Sequence, residues 1–188
     1  MTRAALVVAL SIAMLHASAA DLRSIDVDYD GRLYEFESVV WFGTGIDETF
    51  EVFSRWDYSP RFSSAVVEAR DTEIDGQPGY YVVNRGCVLF FCKSLTREGR
   101  VEREHNRVMR AFADPEKSDF RRADEVWEFS EEAGGTRVIY RLKMEPAFWV
   151  PPAIGPWMIK RKLRNEGAEA IDRIEEVARE VAESDLVY

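Results

Sequence analysis

Histidine and cysteine are scarce in this sequence, two of each among 188 residues, and that scarcity limits its chemistry. His16 lies in an apolar N-terminal run and His105 in a predicted turn. A histidine metal cluster is therefore excluded, and a nucleophile–histidine–acid triad would have to be built on His105 alone. No metal site and no cofactor are expected. Phosphate-cradling glycine loops and dinucleotide fingerprints are absent, as are internal repeats and low-complexity linkers. Positive charge is also short: 25 Lys+Arg against 34 Asp+Glu give a net charge of −9. A balance of that sign argues against nucleic acid and against general attraction to anionic lipid.

What is present begins with a leader. Arg3 supplies a short positive start, Ala4 to Leu15 an apolar core, and Ala17-Ser18-Ala19-Ala20 small residues suited to cleavage before Asp21. The apolar run is short for a span, which needs about 20 residues. Residues 1–20 therefore read as a secretory signal, placing the protein in the periplasm or outside the cell. No cysteine follows the small residues, so a lipoprotein anchor is not indicated. Cleavage removes only Arg3 and leaves the chain one charge more negative.

The remainder, 46% hydrophobic and 12% aromatic over the whole sequence, is enough for one ordinary domain. Residues 21–32 read as a polar lead-in and 185–188 as a tail, bracketing a domain over 33–184. Leu33 to Phe42 alternates as a first strand, ended by Gly43 and Gly45. Thr44-x-x-Asp47 predicts a capped helix start, with Ile46, Phe50 and Phe53 on one face through Arg55. Pro60 breaks the helix, and a short second turn follows. Strands are predicted over Ser64–Ile74, Tyr80–Asn84, Val88–Glu104, Arg107–Ala113, Arg121–Ser130 and Thr136–Glu145, the first two joined by a turn at Asp75-Gly76. After the apolar run Pro146–Val150 and a turn at Pro151-Pro152, a long helix starts near Pro156. It carries Ile159, Leu163, Gly167, Ile171, Ile174, Ala178 and Val181 on one stripe.

With those elements in hand, Ile46 to Glu68 resembles the opening of the SRPBCC or START-like superfamily. That group includes polyketide cyclase/dehydrase-like and coenzyme Q-binding proteins. Ser118-Asp119-Phe120-Arg121 with Val126-Trp127-Glu128-Phe129, and Gly135-Thr136-Arg137-Val138 leading to Pro146-x-x-Trp149-Val150-Pro151, resemble it too. The resemblance implies an α+β helix-grip fold: a curved antiparallel sheet of about seven strands, two short helices after the first, and a long C-terminal helix closing a hydrophobic cavity. An eight-stranded lipocalin barrel would also pair export with a cavity, but leaves the helix at Ile46–Arg55 unexplained.

Strand parity nominates the cavity wall. Val138, Tyr140, Leu142 and Met144 share a face, as do Trp127 and Phe129, opposite Leu163, Gly167, Ile171 and Ile174 on the helix. Glu125 joins that face if its strand stays regular; a carboxylate near a strand end otherwise reaches water. Tyr140 offers either a polar contact in the cavity or a bond to a backbone carbonyl. Gly167 costs the helix ~1 kcal/mol relative to alanine, so either close packing or simple tolerance explains it. Trp149, Trp157, Lys160, Arg161 and Arg164 form an apolar-then-basic segment that reads as a gate or membrane rim, or else as a solvated helix face. Cys87 and Cys92 could pair only through a tight turn within Val88–Phe91, since a bridge needs a Cα separation of ~4.4–6.8 Å; two small buried thiols are the alternative.

The function expected is an exported, monomeric binder or carrier of a hydrophobic small molecule such as a quinone, isoprenoid or fatty acyl chain, with transient membrane contact and no nucleic-acid partner. A polyketide cyclase/aromatase-like enzyme using cavity Tyr and Glu side chains is one alternative. An interaction module with a filled core is the other.

Overall fold

The computed structural model describes residues 20–88, 91–150 and 155–185. Most of the leader, the turn at Pro151-Pro152 and the last three residues lie outside them. Eight antiparallel strands form one sheet: β1 (Asp21–Asp30), β2 (Leu33–Phe42), β3 (Val66–Ile74), β4 (Gln77–Val88), β5 (Phe91–Glu104), β6 (Val108–Ala113), β7 (Phe120–Glu132) and β8 (Gly135–Pro146). Their spatial order is β1-β2-β8-β7-β6-β5-β4-β3. After β2 the chain crosses to the far edge through α1 (Ile46–Ser54), a 3-10 turn (Trp56–Tyr58) and α2 (Ser59–Phe62), then meanders back until β8 pairs with β2. The closing helix α3 (Gly155–Asp185) packs against β1, β2, α1 and α2.

Three expectations are corrected. The polar lead-in is the edge strand β1, which raises the count to eight. Ile25, Val27 and Tyr29 alternate with Asp26, Asp28 and Asp30, and Val27 is buried, so the acidic residues mark a solvated face rather than a loose segment. The strand expected from Val88 to Glu104 also starts later: Val88 ends β4, β5 starts at Phe91, and the two residues pair across the ladder. Cys87 stands opposite Cys92 in that register, and Cys92 is disulfide-bonded. Finally, Thr44 does not cap α1. The cap position is Gly45, with no side-chain cap, and the Thr44 hydroxyl pairs with that of Thr49 at 2.9 Å.

Turn chemistry fixes the register at two hairpins. Asp75-Gly76 and Ala133-Gly134 each place two successive residues at positive φ (52° and 75°, 51° and 78°), the left-handed geometry that matches strand twist. Within the sheet Gly99 sits where an added Cβ would lie 1.9 Å from the Phe112 carbonyl oxygen, so only glycine allows that close approach.

The core follows from the alternation. A main cluster joins Phe42, Phe50, Trp56, Tyr80 and Trp127 to Ile171, Ile174, Val177, Ala178 and Val181 of α3. A smaller one holds Val27, Phe36 and Leu142 with Leu163 and Met144 at its edge. Burial of α3 is therefore uneven: complete along its second half, partial at Ile159, Leu163 and Gly167. Glu175, buried in the second half, accepts from the Gly43 amide at 3.0 Å and from Arg179 at 2.8 Å, pinning that end to the loop after β2. The first half of α3 spans the space between the clusters.

Candidate functional site

That space is a cavity of about 230 Å³ bounded by β2, β4, β5, β7 and β8, by α2 and by the first half of α3. Its wall is mostly apolar. Of the residues nominated from sequence, Trp127, Tyr140, Leu142, Leu163, Gly167, Ile171 and Glu125 line it. Phe129 and Met144 do not. Phe129 packs edge-on against Phe50 and Phe53 at 5.1 and 5.6 Å, and Met144 joins the smaller cluster beyond the cavity. Both have the inward parity, but parity fixes a face and not a position along it.

Gly167 has a packing reason. An added Cβ there would lie 3.1 Å from Phe36 Cζ and 3.1 Å from Ile25 Cδ1, closer than ordinary contact. The glycine lets α3 approach the sheet at this point of the cavity.

A polar cluster is set into the apolar wall. Glu125 is 3% exposed on β7. Its Oε2 accepts from the Tyr140 hydroxyl at 2.6 Å, and its Oε1 is ion-paired with Arg97 of β5. Arg97 also donates to Asn84 Oδ1 at 3.3 Å. Tyr140 thus bonds a carboxylate and not a backbone carbonyl, while its ring stacks on Trp127 with centroids 4.9 Å apart. Burial, followed by the adjacent Glu125 charge, pushes the Tyr140 phenol well above its ordinary value. Burial works against the Arg97 charge, but Glu125, Tyr80 and Tyr140 together more than offset it, so the guanidinium stays protonated. Burial likewise raises Tyr80, whose ring stacks on Trp56 at 4.3 Å.

The gate residues lie apart from this cluster. Trp149 and Trp157 are the most exposed large hydrophobic residues described, at 78% and 62%. Arg161 and Arg164 are exposed, Lys160 is half-buried, and the Arg161 guanidinium sits 5.5 Å from the Trp157 ring. None of the five lines the cavity. Its boundary meets the surface instead between α2 and α3, where Phe62, Ser63 and Glu166 also border a shallow depression with Ser64, Glu169 and Arg173. His105 is exposed in its turn, edge-on to Phe50 and 3.6 Å from Asp47. Among the described residues no group of His, Cys, Asp and Glu could hold a metal ion.

No family model and no curated protein sequence matches the chain. Solved structures do. A STAR-related lipid transfer protein fragment from Xanthomonas axonopodis superposes with a TM-score of 0.63 at 16% identity, covering 86% of this chain and 99% of that one. The chain has the START-like helix-grip fold. An aromatase/cyclase from Streptomyces sp. R1128 gives a TM-score of 0.60 at 14% identity, over 78% of this chain and 94% of that one. Human STARD10 gives 0.60 at 8% identity, over 87% and 76%. Likeness at such identities is one of fold alone.

Within this START-like chain, the sequence reading missed the Arg97 and Asn84 end of the site. A signal existed. Arg97 shares its face of β5 with Gly99 and Val101, both buried, so counting back from Val101 turns the arginine inward. The inward set Phe36, Ser38, Val40 and Phe42 follows similarly from β2. Chemically, a buried, mutually neutralised pair beside an apolar wall can orient a polar end of an otherwise apolar molecule, or polarise a carbonyl.

Proposed function

We propose that the protein binds, and carries between sites, a hydrophobic small molecule held between the sheet and α3. The observation that supports this most is the cavity itself, an apolar chamber with one polar cluster at Arg97, Glu125 and Tyr140. Buried ionic groups are costly unless they specify something, and a ligand's polar end gives them that role. The lipid transfer protein and the aromatase/cyclase among its structural neighbours are compatible with such a ligand.

Export fits the same reading: the leader at residues 1–20 would deliver the carrier to the periplasm or beyond. There the exposed Trp149 and Trp157, beside the basic Lys160, Arg161 and Arg164, would rest on an anionic headgroup layer during exchange. In this reading one chain supplies the whole cavity lining and acts as a monomer.

Titration with the neutral probe N-phenylnaphthylamine tests binding. Uptake at one site, with energy transfer from Trp127, is expected. Absence of any saturable signal would reject the reading. The cyclase alternative draws on one observation, that Glu125 and Tyr140 are hydrogen-bonded in the chamber where an enolisable chain would lie. Turnover of a linear poly-β-keto substrate, lost in Tyr140→Phe, would favour it.

A further inference from the structure

The polar cluster keeps unused hydrogen-bond donors. A guanidinium has five N–H donors. Arg97 spends one on Glu125 and one on Asn84. Asn84 uses its carbonyl oxygen to accept from Arg97, and among the described residues its amide nitrogen has no acceptor. Neither side chain has another side-chain partner among the described residues, and neither is among the atoms sealed in protein without one. Both line the cavity, so their unused N–H groups have a ligand as a possible partner. Both Glu125 oxygens already accept one donor each and Tyr140 has donated its only hydroxyl hydrogen, so the donors the cluster has left are those of Arg97 and Asn84.

Charge points the same way. Arg97 and Glu125 cancel, and no further ionic partner lies among the cavity-lining groups except Glu166, which is paired with Lys162 at the edge. A carboxylate or phosphate head would add an uncompensated negative charge beside Glu125 in a low-dielectric space, and an ammonium head would meet Arg97. A neutral oxygen acceptor takes the spare donors at no charge cost.

Resting on the carrier reading above, we infer that the ligand's buried head is a neutral hydrogen-bond acceptor, the carbonyl oxygen of a ketone, quinone or ester, received by Arg97 and Asn84. Free fatty acids and phosphorylated isoprenoids are thereby disfavoured. The apolar remainder of the ligand lies along Phe36, Trp127 and Leu163.

The test compares molecules of similar chain length, lauryl methyl ketone, laurate and tetradecane, as competitors of bound N-phenylnaphthylamine. In the native protein the ketone should compete on the order of tenfold more strongly than laurate or the hydrocarbon, the preference one charge-assisted hydrogen bond provides. Arg97→Met alone strands a buried carboxylate, so the informative variants are Arg97→Met/Glu125→Gln, which keeps the wall neutral, and Asn84→Ala. In both, the ratio of ketone to tetradecane competition, measured within the same variant, should fall toward one. Equal competition by the ketone and tetradecane, a laurate preference, or a ketone preference unchanged in the variants would each overturn the inference. Failure of the native protein to take up the probe or the hydrocarbon would instead overturn the carrier reading.

Discussion

The Tyr140 hydroxyl donates to the Glu125 carboxylate at 2.6 Å across neighbouring strands β8 and β7, inside a wall that is mostly apolar. The bond joins a strand-borne acid to the ring that stacks on Trp127. It also holds the carboxylate whose other oxygen carries Arg97.

Breaking this cluster one group at a time should cost unequal amounts. Tyr140→Phe leaves one carboxylate oxygen without its donor and should lower stability by about 1–3 kcal/mol. Glu125→Ala leaves Arg97 buried without its counter-charge and should cost about 3–5 kcal/mol. Arg97→Met/Glu125→Met together should recover most of that loss. Urea unfolding of the four proteins checks the ordering, and a double variant as unstable as Glu125→Ala would contradict it.

Alkaline stability should be set by buried phenols. Tyr34 is raised to about 12, by burial and then by Tyr29, and Tyr80 and Tyr140 are raised by burial as well. With rising pH the unfolded chain ionises these groups first, near its ordinary value of about 10. Their contribution is therefore fully present below that pH and disappears as pH climbs through the raised folded values. Phenolate absorbance should show Tyr34, Tyr80 and Tyr140 ionising only as the circular dichroism signal collapses. Ionisation of all phenols at pH 10 in a folded protein would be the contrary result.

Gly167 should control cavity volume with little effect on the fold. In Gly167→Ala a gain of ~1 kcal/mol in helix propensity opposes two tight contacts, with Phe36 and Ile25, both to side-chain ends, so stability should stay within about 1 kcal/mol of native. Gly167→Leu places a side chain in the chamber and should weaken N-phenylnaphthylamine binding at least tenfold while the helical spectrum is retained. Unchanged binding in Gly167→Leu would place the ligand elsewhere.

Vesicle contact should depend on the exposed tryptophans and the basic turn of α3. Co-sedimentation with phosphatidylcholine vesicles containing phosphatidylglycerol should fall in Trp149→Ala/Trp157→Ala and in Lys160→Glu/Arg161→Glu, the second loss being sensitive to salt. Neither pair lines the cavity, so probe binding in solution should be unaffected. Equal sedimentation of all variants would remove the membrane from the account.

Much of this architecture was legible because alternation and turn chemistry are local. The helix stripe from Ile159 to Val181, the hairpin at Asp75-Gly76 and the inward faces of β7 and β8 all follow from residue spacing. What stayed hidden was non-local or masked by polarity. Aspartates at every second position concealed the β1 alternation of Ile25, Val27 and Tyr29. No glycine or proline directly follows Val88, so the break between β4 and β5 reads too early, before Val88 and not after it. Arg97 did not stand out because its partner, Glu125, lies 28 residues away and becomes adjacent only when β5, β6 and β7 fold together. Where the cavity meets the surface was equally non-local: Ser63 and Glu166 belong to α2's end and the middle of α3.

The central claim is that an apolar molecule with a carbonyl acceptor occupies the chamber beneath α3. Native mass spectrometry of protein purified from the cells that produce it, followed by solvent extraction and accurate mass, tests this directly. The account predicts one bound molecule per chain, released on unfolding, carrying at least one carbonyl oxygen and no ionised head. Recovery of a stoichiometric fatty acid or phosphorylated lipid would contradict the assigned head chemistry. A ligand-free protein that also refuses every apolar probe would contradict the carrier function itself.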